Sequence, residues 1–195
     1  MALYTPEYQV NGGEVAVVHT NKGDITVALA GSGAPIHVAN FVELAQKGFY
    51  NGLKFHRHVP GFVIQGGCPN TRDLTGDQVR QGRPDLGTGN PGYSIKGEFS
   101  KNGFQNDMKH TRGVLSMARS QAPDSAGSQF FIMHEDSPHL DGSYAAFGCV
   151  TEGAEVIDVI ANAETNVSDK PTTDQRMKKV TAETFGIDYP EPEKM

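Results

Sequence analysis

The sequence predicts a mainly β fold, an antiparallel barrel or sandwich of about eight short strands with two helices. Runs of alternating or β-branched residues recur along the chain between turn residues, whereas only two segments show helical spacing. Strands and helices do not alternate, and no internal repeat is present, so the strands should pair antiparallel. Of the two architectures we expect the closed eight-stranded barrel, because closure removes the sheet edges and leaves the helices to cover its ends.

Length and charge limit the organisation and the partners. A chain of 195 residues suits one domain, with a core at about 14–185 and an acidic, proline-bearing tail at 186–195. The 17 Lys and Arg against 23 Asp and Glu give a net charge of −6. Because a nucleic-acid partner requires a basic face, we expect no nucleic acid to bind.

The sequence also predicts a soluble protein that is not exported. The first residues, MALYTPEYQVNGG, lack the basic opening and the apolar run of a leader, and no stretch is apolar enough to span a membrane. Two cysteines, Cys68 and Cys149, are too few for the disulfide framework of a secreted domain, although a bond between them remains possible. We therefore expect a cytoplasmic protein without membrane contact.

The first third of the chain predicts a hairpin and a helix. Residues 14–29 are two β-branched runs around a polar turn that contains Gly23. The helix follows: Pro35 suits its first turn, and Lys47 with Gly48 suits its end. Its apolar residues recur at helical spacing, namely Val38, Phe41, Val42 and Ala45.

The stretch FHRHVPGFVIQGG, residues 55–67, predicts two strands joined at Pro60-Gly61. If side chains alternate throughout, one face carries Phe55, Arg57 and Val59, and beyond the turn Val63 and Gln65 lie opposite Phe62 and Ile64. A guanidinium among apolar neighbours suggests a group held for a ligand oxygen. The alternative is an edge-strand arginine that reaches into water.

Residues 68–92 are predicted to form one long loop. They carry five glycines and three prolines with little apolar content, and loops of this length are usually functional. A nucleotide-binding interpretation of Gly87-Thr88-Gly89 is not supported, because a strand-like run rather than a helix follows it.

The second half of the chain predicts four more strands and one helix. The strand-like runs are residues 113–118, 129–134, 144–150 and 179–185, and on the second of them Gln129, Phe131 and Met133 share a face. Helical spacing recurs only over residues 155–161.

Three motifs in order, FHRHVPGFVIQGG, LSMARSQAPDSAGSQFFI and HLDGSYAAFG, give the chain a strong resemblance to the cyclophilin family of peptidyl-prolyl cis-trans isomerases. The resemblance runs over about residues 14–185, and its ARSQ-PDS form with tyrosine after LDGS is similar to the bacterial branch. It implies an eight-stranded antiparallel barrel capped by two helices. It also implies a monomeric enzyme without cofactor or metal that rotates X-Pro bonds in proline-containing peptides and in unfolded or partly folded proteins.

The resemblance also implies roles for individual residues. The catalytic arginine falls on Arg57, with Gln65 beside it on the polar rim. The substrate-binding positions that it implies are Phe62, Val63, Gly87, Ala118, Arg119, Gln129, Phe131, His139, Leu140 and Tyr144. Many members carry Met at Val63, Asn at Arg119, Trp at His139 and His at Tyr144, so we expect altered substrate preference and weakened binding of the inhibitor cyclosporin.

Other site chemistries have weaker support. His56 and His58 share a strand face, and His134, His139 and the two cysteines are further donors, but no CxxC or HExxH spacing accompanies them. A serine hydrolase would need a GxSxG elbow, which the chain lacks, and Ser116 and Ser128 are read as packing or turn hydroxyls. The main alternative is a module that binds proline peptides without turnover. Such a module would have no need of Arg57.

Overall fold

The computed structural model describes residues 3–8 and 10–183, and these contain eight strands and three α-helices. The strands are β1 (Val15–Thr20), β2 (Gly23–Leu29), β3 (Arg57–Val59), β4 (Val63–Gly66), β5 (Val114–Met117), β6 (Phe130–Met133), β7 (Ala146–Glu152) and β8 (Met177–Glu183). They form one sheet in the order β3-β4-β6-β5-β7-β2-β1-β8, and every neighbouring pair is antiparallel. The predicted strands are confirmed, the last of them as far as Glu183; the predicted residues 184 and 185 and the tail lie outside the described residues.

The ladder of the sheet is open between its two edge strands, β3 and β8, so the strand pairing does not confirm the predicted closed barrel. The residues next to these strands nevertheless meet. Lys54 forms an isolated antiparallel bridge with Arg176, and backbone hydrogen bonds run from Phe55 N to Gln175 O and from Met177 N to Leu53 O. The edges are therefore joined by an irregular seam.

Helices α1 (Pro35–Gln46) and α3 (Ala154–Ala161) match the two predicted helices. Pro35 stands in the first turn of α1, and Gly48, whose φ is 68°, follows its C-cap residue, Lys47. Helix α1 packs against β7 and β8, whereas α3 packs against β2, β3 and β4.

A third helix, α2 (Gly76–Gln81), corrects the prediction that residues 68–92 are only a loop. Thr75 and Gln78 form a capping box that satisfies backbone N–H groups at its start. The few apolar residues of the segment bury one another in a small cluster of Leu74, Val79 and Leu86. Their spacing was too sparse to predict a helix, but local capping and this cluster are sufficient to form one.

The main core lies between the sheet and the helices and is rich in aromatic rings. Phe130 of β6 makes edge-to-face contacts with Phe41, Tyr50 and Phe55 at centroid distances of 5.5, 5.5 and 6.3 Å. Such pairs stabilise a core beyond the area they bury. Along β4 and β6, inward-pointing core side chains alternate with side chains that point to the other face of the sheet. The site lies on that other face.

Two acidic side chains hold the segment before β1 against the body of the domain. Glu43 of α1 accepts hydrogen bonds from the Tyr4 hydroxyl and from the backbone of Tyr8, and Glu14 accepts one from the Tyr8 hydroxyl. Both carboxylates are buried, so these bonds compensate their desolvation. The sequence pattern did not predict this anchoring.

Cys68 is buried and Cys149 is exposed, and both are free thiols in the structure. Over the described residues, no helix combines the length and the hydropathy that a membrane crossing requires.

Candidate active site

The outer face of the sheet carries a second apolar cluster, separate from the main core. Phe131 and Met133 of β6 pack there with Val63 of β4, while Phe130 and Ile132 point inward. The register pairs Val63 with Met133 and Gln65 with Phe131, which places these side chains next to one another across the two strands. This alternation creates an apolar floor on the solvent side of the sheet.

Arg57 lies at the edge of this floor, on strand β3. The register places Arg57 opposite Gln65, and its Nη1 donates to Gln65 Oε1 at 3.5 Å. The Arg57 side chain is 37% exposed, so its guanidinium is open to a ligand. The prediction that Arg57 stands at a ligand-facing position agrees with this placement.

Two details of the predicted alternation are wrong. Phe55 packs in the main core, and Phe62 lies with Val63 in the outer cluster rather than opposite to it. Both residues precede the strands, which begin at Arg57 and Val63, so the period of two does not reach them. The turn between the strands, with Gly61 at a φ of 76°, brings Phe62 back over the floor.

A chain of amide hydrogen bonds joins Arg57 to the 68–92 segment. Gln65 Nε2 donates to Gln129 Oε1 at 3.2 Å, and Gln129 Nε2 donates to the carbonyls of Gly87 and Gly89 at 2.9 Å each. Each amide accepts on one side and donates on the other, so the orientation of Gln65 is determined by its neighbours. Gly87 and Gly89, whose spacing suggested a nucleotide-binding loop, instead contribute their backbone carbonyls to this side-chain network.

Asp169 approaches Arg57 from the other side, a contact that the sequence analysis missed. Its carboxylate lies 3.9 Å from Arg57 Nε, and its backbone carbonyl accepts a hydrogen bond from His58 N at 3.0 Å. The backbone of Asp169 is left-handed, with a φ of 57°. In the same turn, Asn166 Nδ2 donates to Arg80 O at 2.6 Å, which ties this turn to α2. No local pattern signals the contact, because only the fold brings these segments together.

A cavity of about 210 Å³ opens above the apolar floor. Its lining residues are Arg57, Phe62, Val63, Gln65, Ala118, Arg119, Phe131, Leu140 and Tyr144. Aromatic and aliphatic side chains thus form one wall and a guanidinium with an amide forms another, which suits an apolar ring next to a polar amide group.

A second cavity, of about 460 Å³, adjoins the first and is mostly polar. It is lined by Gly87 and Gln129, two of the predicted substrate-binding residues, together with serine, threonine, asparagine and glycine residues. Gln65, Ala118 and Arg119 line both cavities. An extended ligand could therefore occupy the two cavities at once and pass these three residues.

His139 lies beside the first cavity rather than in its lining. Its ring stacks on Phe62 with centroids 5.7 Å apart and an interplanar angle of 26°. Tyr144 lines the cavity and makes an edge-to-face contact with Phe131 at 5.8 Å. Two of the four departures from the common family residues, His139 and Tyr144, thus contact Phe62 or Phe131.

His110, Ser116 and Asp141 form an arrangement that resembles a hydrolase triad. His110 Nε2 lies 2.9 Å from Ser116 Oγ, and His110 Nδ1 lies 3.1 Å from Asp141 Oδ1. Burial lowers the pKa of His110, and Ser116 is 0% exposed beneath the floor of the site. A hydroxyl without access to substrate cannot act as a nucleophile, so we assign the three residues to support of Phe131, on which the His110 ring stacks at 6.1 Å.

The histidines considered as metal ligands lie in different environments. His56 and His58 are buried, and burial lowers the pKa of His56 to about 3 and that of His58 to about 4. His134 Nδ1 instead accepts a hydrogen bond from Gly61 N at 2.9 Å, and its Nε2 donates to Asp158 Oδ1 at 3.1 Å. In the described part of the chain, no three His, Cys, Asp or Glu side chains converge as a metal site would require.

Comparison with known proteins agrees with this geometry. The family model described as cyclophilin-type peptidyl-prolyl cis-trans isomerase/CLD matches residues 15–182. The chain belongs to the cyclophilin family. It is an enzyme, a peptidyl-prolyl cis-trans isomerase, and the alternative of a binding module without turnover is not supported.

Bacterial relatives confirm the predicted branch. A peptidyl-prolyl cis-trans isomerase of Helicobacter pylori is 45% identical over 76% of this chain and 81% of its own length, and one of Synechococcus elongatus is 42% identical over 82% of this chain and 97% of its own. Among solved structures, a Cryptosporidium parvum cyclophilin-type isomerase determined in the presence of the dipeptide Ala-Pro has a TM-score of 0.74. The two proteins are 30% identical, and the match covers 87% of this chain and 99% of the Cryptosporidium chain.

Proposed function

We propose that Arg57 is the catalytic group of this isomerase and that the 210 Å³ cavity holds the proline ring of the substrate. The observation that carries this assignment is the position of Arg57, which is partly exposed at the rim of the cavity, opposite the apolar wall of Phe62, Val63, Phe131 and Leu140, and is oriented by Gln65. The dipeptide in the related Cryptosporidium structure supports a proline-containing substrate.

The chemical problem is the partial double bond of the peptide. Rotation faces a barrier of about 18 to 20 kcal/mol because resonance delocalises the nitrogen lone pair. As the amide twists, the nitrogen regains that lone pair. A donor directed at the nitrogen, or at the prolyl carbonyl beside it, binds the twisted state better than the planar state and lowers the barrier.

The guanidinium of Arg57 provides such a donor. Nη1 donates to Gln65 and Nε lies 3.9 Å from Asp169, so the N–H groups of Nη2 are left for a substrate in the cavity that Arg57 lines. One charge-assisted hydrogen bond is worth about 1.5 to 3 kcal/mol, and each 1.36 kcal/mol corresponds to a factor of about ten in rate. Arg57 alone therefore accounts for about a ten- to hundredfold acceleration.

The apolar wall supplies the remaining contribution by positioning and desolvation. Phe62, Val63, Phe131 and Leu140 hold the proline ring away from water, which strengthens every electrostatic contact at the rotating bond. The second cavity accepts the adjoining part of the peptide, along Ala118 and beside Gln129 and Gly87. No nucleophile, proton transfer or metal takes part in this reaction.

The natural substrates that fit this site are unfolded or partly folded proteins, whose X-Pro bonds are exposed and isomerise slowly. The enzyme assists their folding as a cytoplasmic monomer that consists of one domain. The net charge of −6 and the two free cysteines are compatible with a cytoplasmic protein. Analytical ultracentrifugation and cell fractionation test these two assignments.

The test of the catalytic role is substitution of Arg57. Arg57→Ala should lower kcat/KM by about ten- to a hundredfold while the thermal midpoint changes little, because the side chain is 37% exposed. Arg57→Lys is the matched control: it keeps the charge but loses the fork of donors, and we expect intermediate activity. Unchanged activity with a lowered midpoint would show that Arg57 is structural.

We further propose that the sheet closes into a barrel at the seam between the edge strands, next to Lys54. The Lys54 Nζ to Asp174 Oδ1 distance is 2.8 Å, and this ion pair is largely buried beside the bridge to Arg176. Amide hydrogen exchange tests closure: the N–H groups of Phe55 and Met177 should be protected as strongly as those of β1. Fast exchange at both would mean that the sheet opens there.

A further inference from the structure

The two cavities differ in charge from the chain as a whole. The net charge is −6, yet the described residues that line the cavities include Arg57 and Arg119 and no aspartate or glutamate. Arg57 has the Asp169 carboxylate at 3.9 Å, which offsets part of its charge. Arg119 lines both cavities.

Backbone carbonyls hold the Arg119 guanidinium in place. Its Nε and Nη2 donate to Ser143 O at 3.2 and 2.6 Å, and its Nη1 donates to Ser120 O and Gln121 O at 2.8 and 3.3 Å. These four bonds use four of the five N–H groups of the guanidinium, which leaves one N–H on Nη2 for a ligand.

Aromatic rings fix the same group from its faces. The Arg119 Cζ atom lies 5.0 Å from the Phe99 ring centroid and 4.6 Å from that of Tyr144. Cation–π contacts and carbonyl dipoles stabilise the charge without neutralising it. In the part of the chain that the structure describes, no ion pair within 4.0 Å involves Arg119, in contrast to Arg57.

We propose that Arg119 makes this isomerase favour substrates that carry an aspartate or glutamate next to the proline. The proposal rests on the proposed function, since it takes the proline ring to occupy the 210 Å³ cavity. A residue adjacent to that proline must pass Arg119 on its way into the second cavity. Its carboxylate meets a cation that is already ordered, so binding costs little side-chain entropy at Arg119.

A purely structural role is the competing explanation, because the same contacts tie residues 119–121 to residues 143–144. The two explanations differ in what they predict for matched substrates. Loss of a structural tie lowers the activity on every peptide by one factor, whereas loss of a charge preference changes the ratio between an acidic and a neutral peptide. The ratio is therefore the quantity to measure.

The experiment compares peptides of the form Ala-Xaa-Pro-Phe with Xaa as Glu, Gln or Lys, and a second series with Xaa directly after the proline. Catalysed exchange is followed by NMR, which avoids the sequence preference of a coupling protease. For the wild type we expect kcat/KM to be about three- to tenfold higher for Glu than for Gln in at least one series, and lowest for Lys. In Arg119→Met the ratio should fall to about one.

Two controls separate charge from folding. Lys178→Met removes an exposed cation of β8 that lines neither cavity, and it should leave the ratio unchanged. Salt should reduce the wild-type ratio, because the screening length falls to about 3 Å at 1 M. The salt series serves as the test if Arg119→Met does not fold.

Each remaining outcome has a defined meaning. A wild-type ratio near one in both series overturns the proposal. A ratio that survives in Arg119→Met, or that does not change with salt, overturns it as well, since the preference would then originate elsewhere. Failure of the wild type to turn over any of the peptides would instead contradict the proposed function.

Discussion

The two faces of strand β6 show how one short segment serves two purposes. Phe130 and Ile132 point into the main core, where Phe130 is surrounded by aromatic rings. Phe131 and Met133 point outward into the second cluster, and Phe131 lines the cavity beside Arg57. All four side chains are apolar and buried, so composition alone does not distinguish them.

What distinguishes the faces is their surroundings. The inner face is sealed by helix α1 and by rings from distant parts of the chain, so each side chain there contributes mainly to stability. The outer face borders an open cavity with a guanidinium at its rim, so we expect the side chains that line this cavity, such as Phe131, to contribute mainly to substrate binding. Neighbouring residues in the sequence should therefore give opposite phenotypes.

The sharpest test of this contrast pairs Phe130→Ala with Phe131→Ala. Phe130→Ala should destabilise the fold by about 3 to 5 kcal/mol, because it leaves a cavity in a closed core, while the folded fraction keeps its activity. Phe131→Ala should cost less stability, since water fills the space, but should remove most of the activity. The measurements are urea unfolding and kcat/KM on both variants. Equal losses of stability and of activity in the two variants would refute the contrast between the inner and the outer face.

Acid should lower the stability of the fold through the two buried histidines that flank Arg57 in the sequence. Burial lowers the pKa of His56 to about 3 and that of His58 to about 4, below the ordinary value of 6.5, so the unfolded chain takes up protons first as the pH falls. Stability is full above about pH 6.5 and should fall by about 2 kcal/mol per histidine by pH 5.

Denaturant unfolding at pH 7 and pH 5 checks this dependence. NMR titration of the two histidines provides an independent control, because neither ring should gain a proton between pH 8 and pH 5. A titration near pH 6.5 at both residues would contradict the burial argument.

The smallest effect concerns the rim of the outer face at His139. The resemblance to cyclophilins implies that tryptophan at this position donates a hydrogen bond to cyclosporin, and His139 is smaller and covers less apolar surface. We expect affinity to be about ten- to a hundredfold lower than in tryptophan-bearing relatives, and His139→Trp to recover much of it.

Turnover of small peptides should hardly change in His139→Trp, since His139 stacks on Phe62 and does not line the cavity. Calorimetric titration of both proteins is the measurement. Equal, tight binding would show that the other contacts of the pocket set the affinity.

The sequence predicted most of the strands and the two longer helices because their signals are local. Alternation, turn residues and capping lie within a few residues of one another, as in the hairpin of β1 and β2. The family motifs likewise pointed to Arg57, Gln65 and the apolar residues, which the structure brings together around one cavity. Asp169 could not be predicted in this way, because it meets Arg57 only after β3 has paired with its neighbours. Helix α2 was missed for a different reason, since its three apolar residues bury one another outside the main core.

The link between Asn166 and Arg80 gives the exposed 68–92 segment a second route to the reaction centre. One route runs through the carbonyls of Gly87 and Gly89 and the two glutamines, and the other runs through the turn that carries Asp169. In protein engineering, the segment is therefore a distant site that is connected to Arg57 by two routes. A crosslink or a grafted binding loop placed there would lie on both routes and would leave every residue that lines the 210 Å³ cavity unchanged.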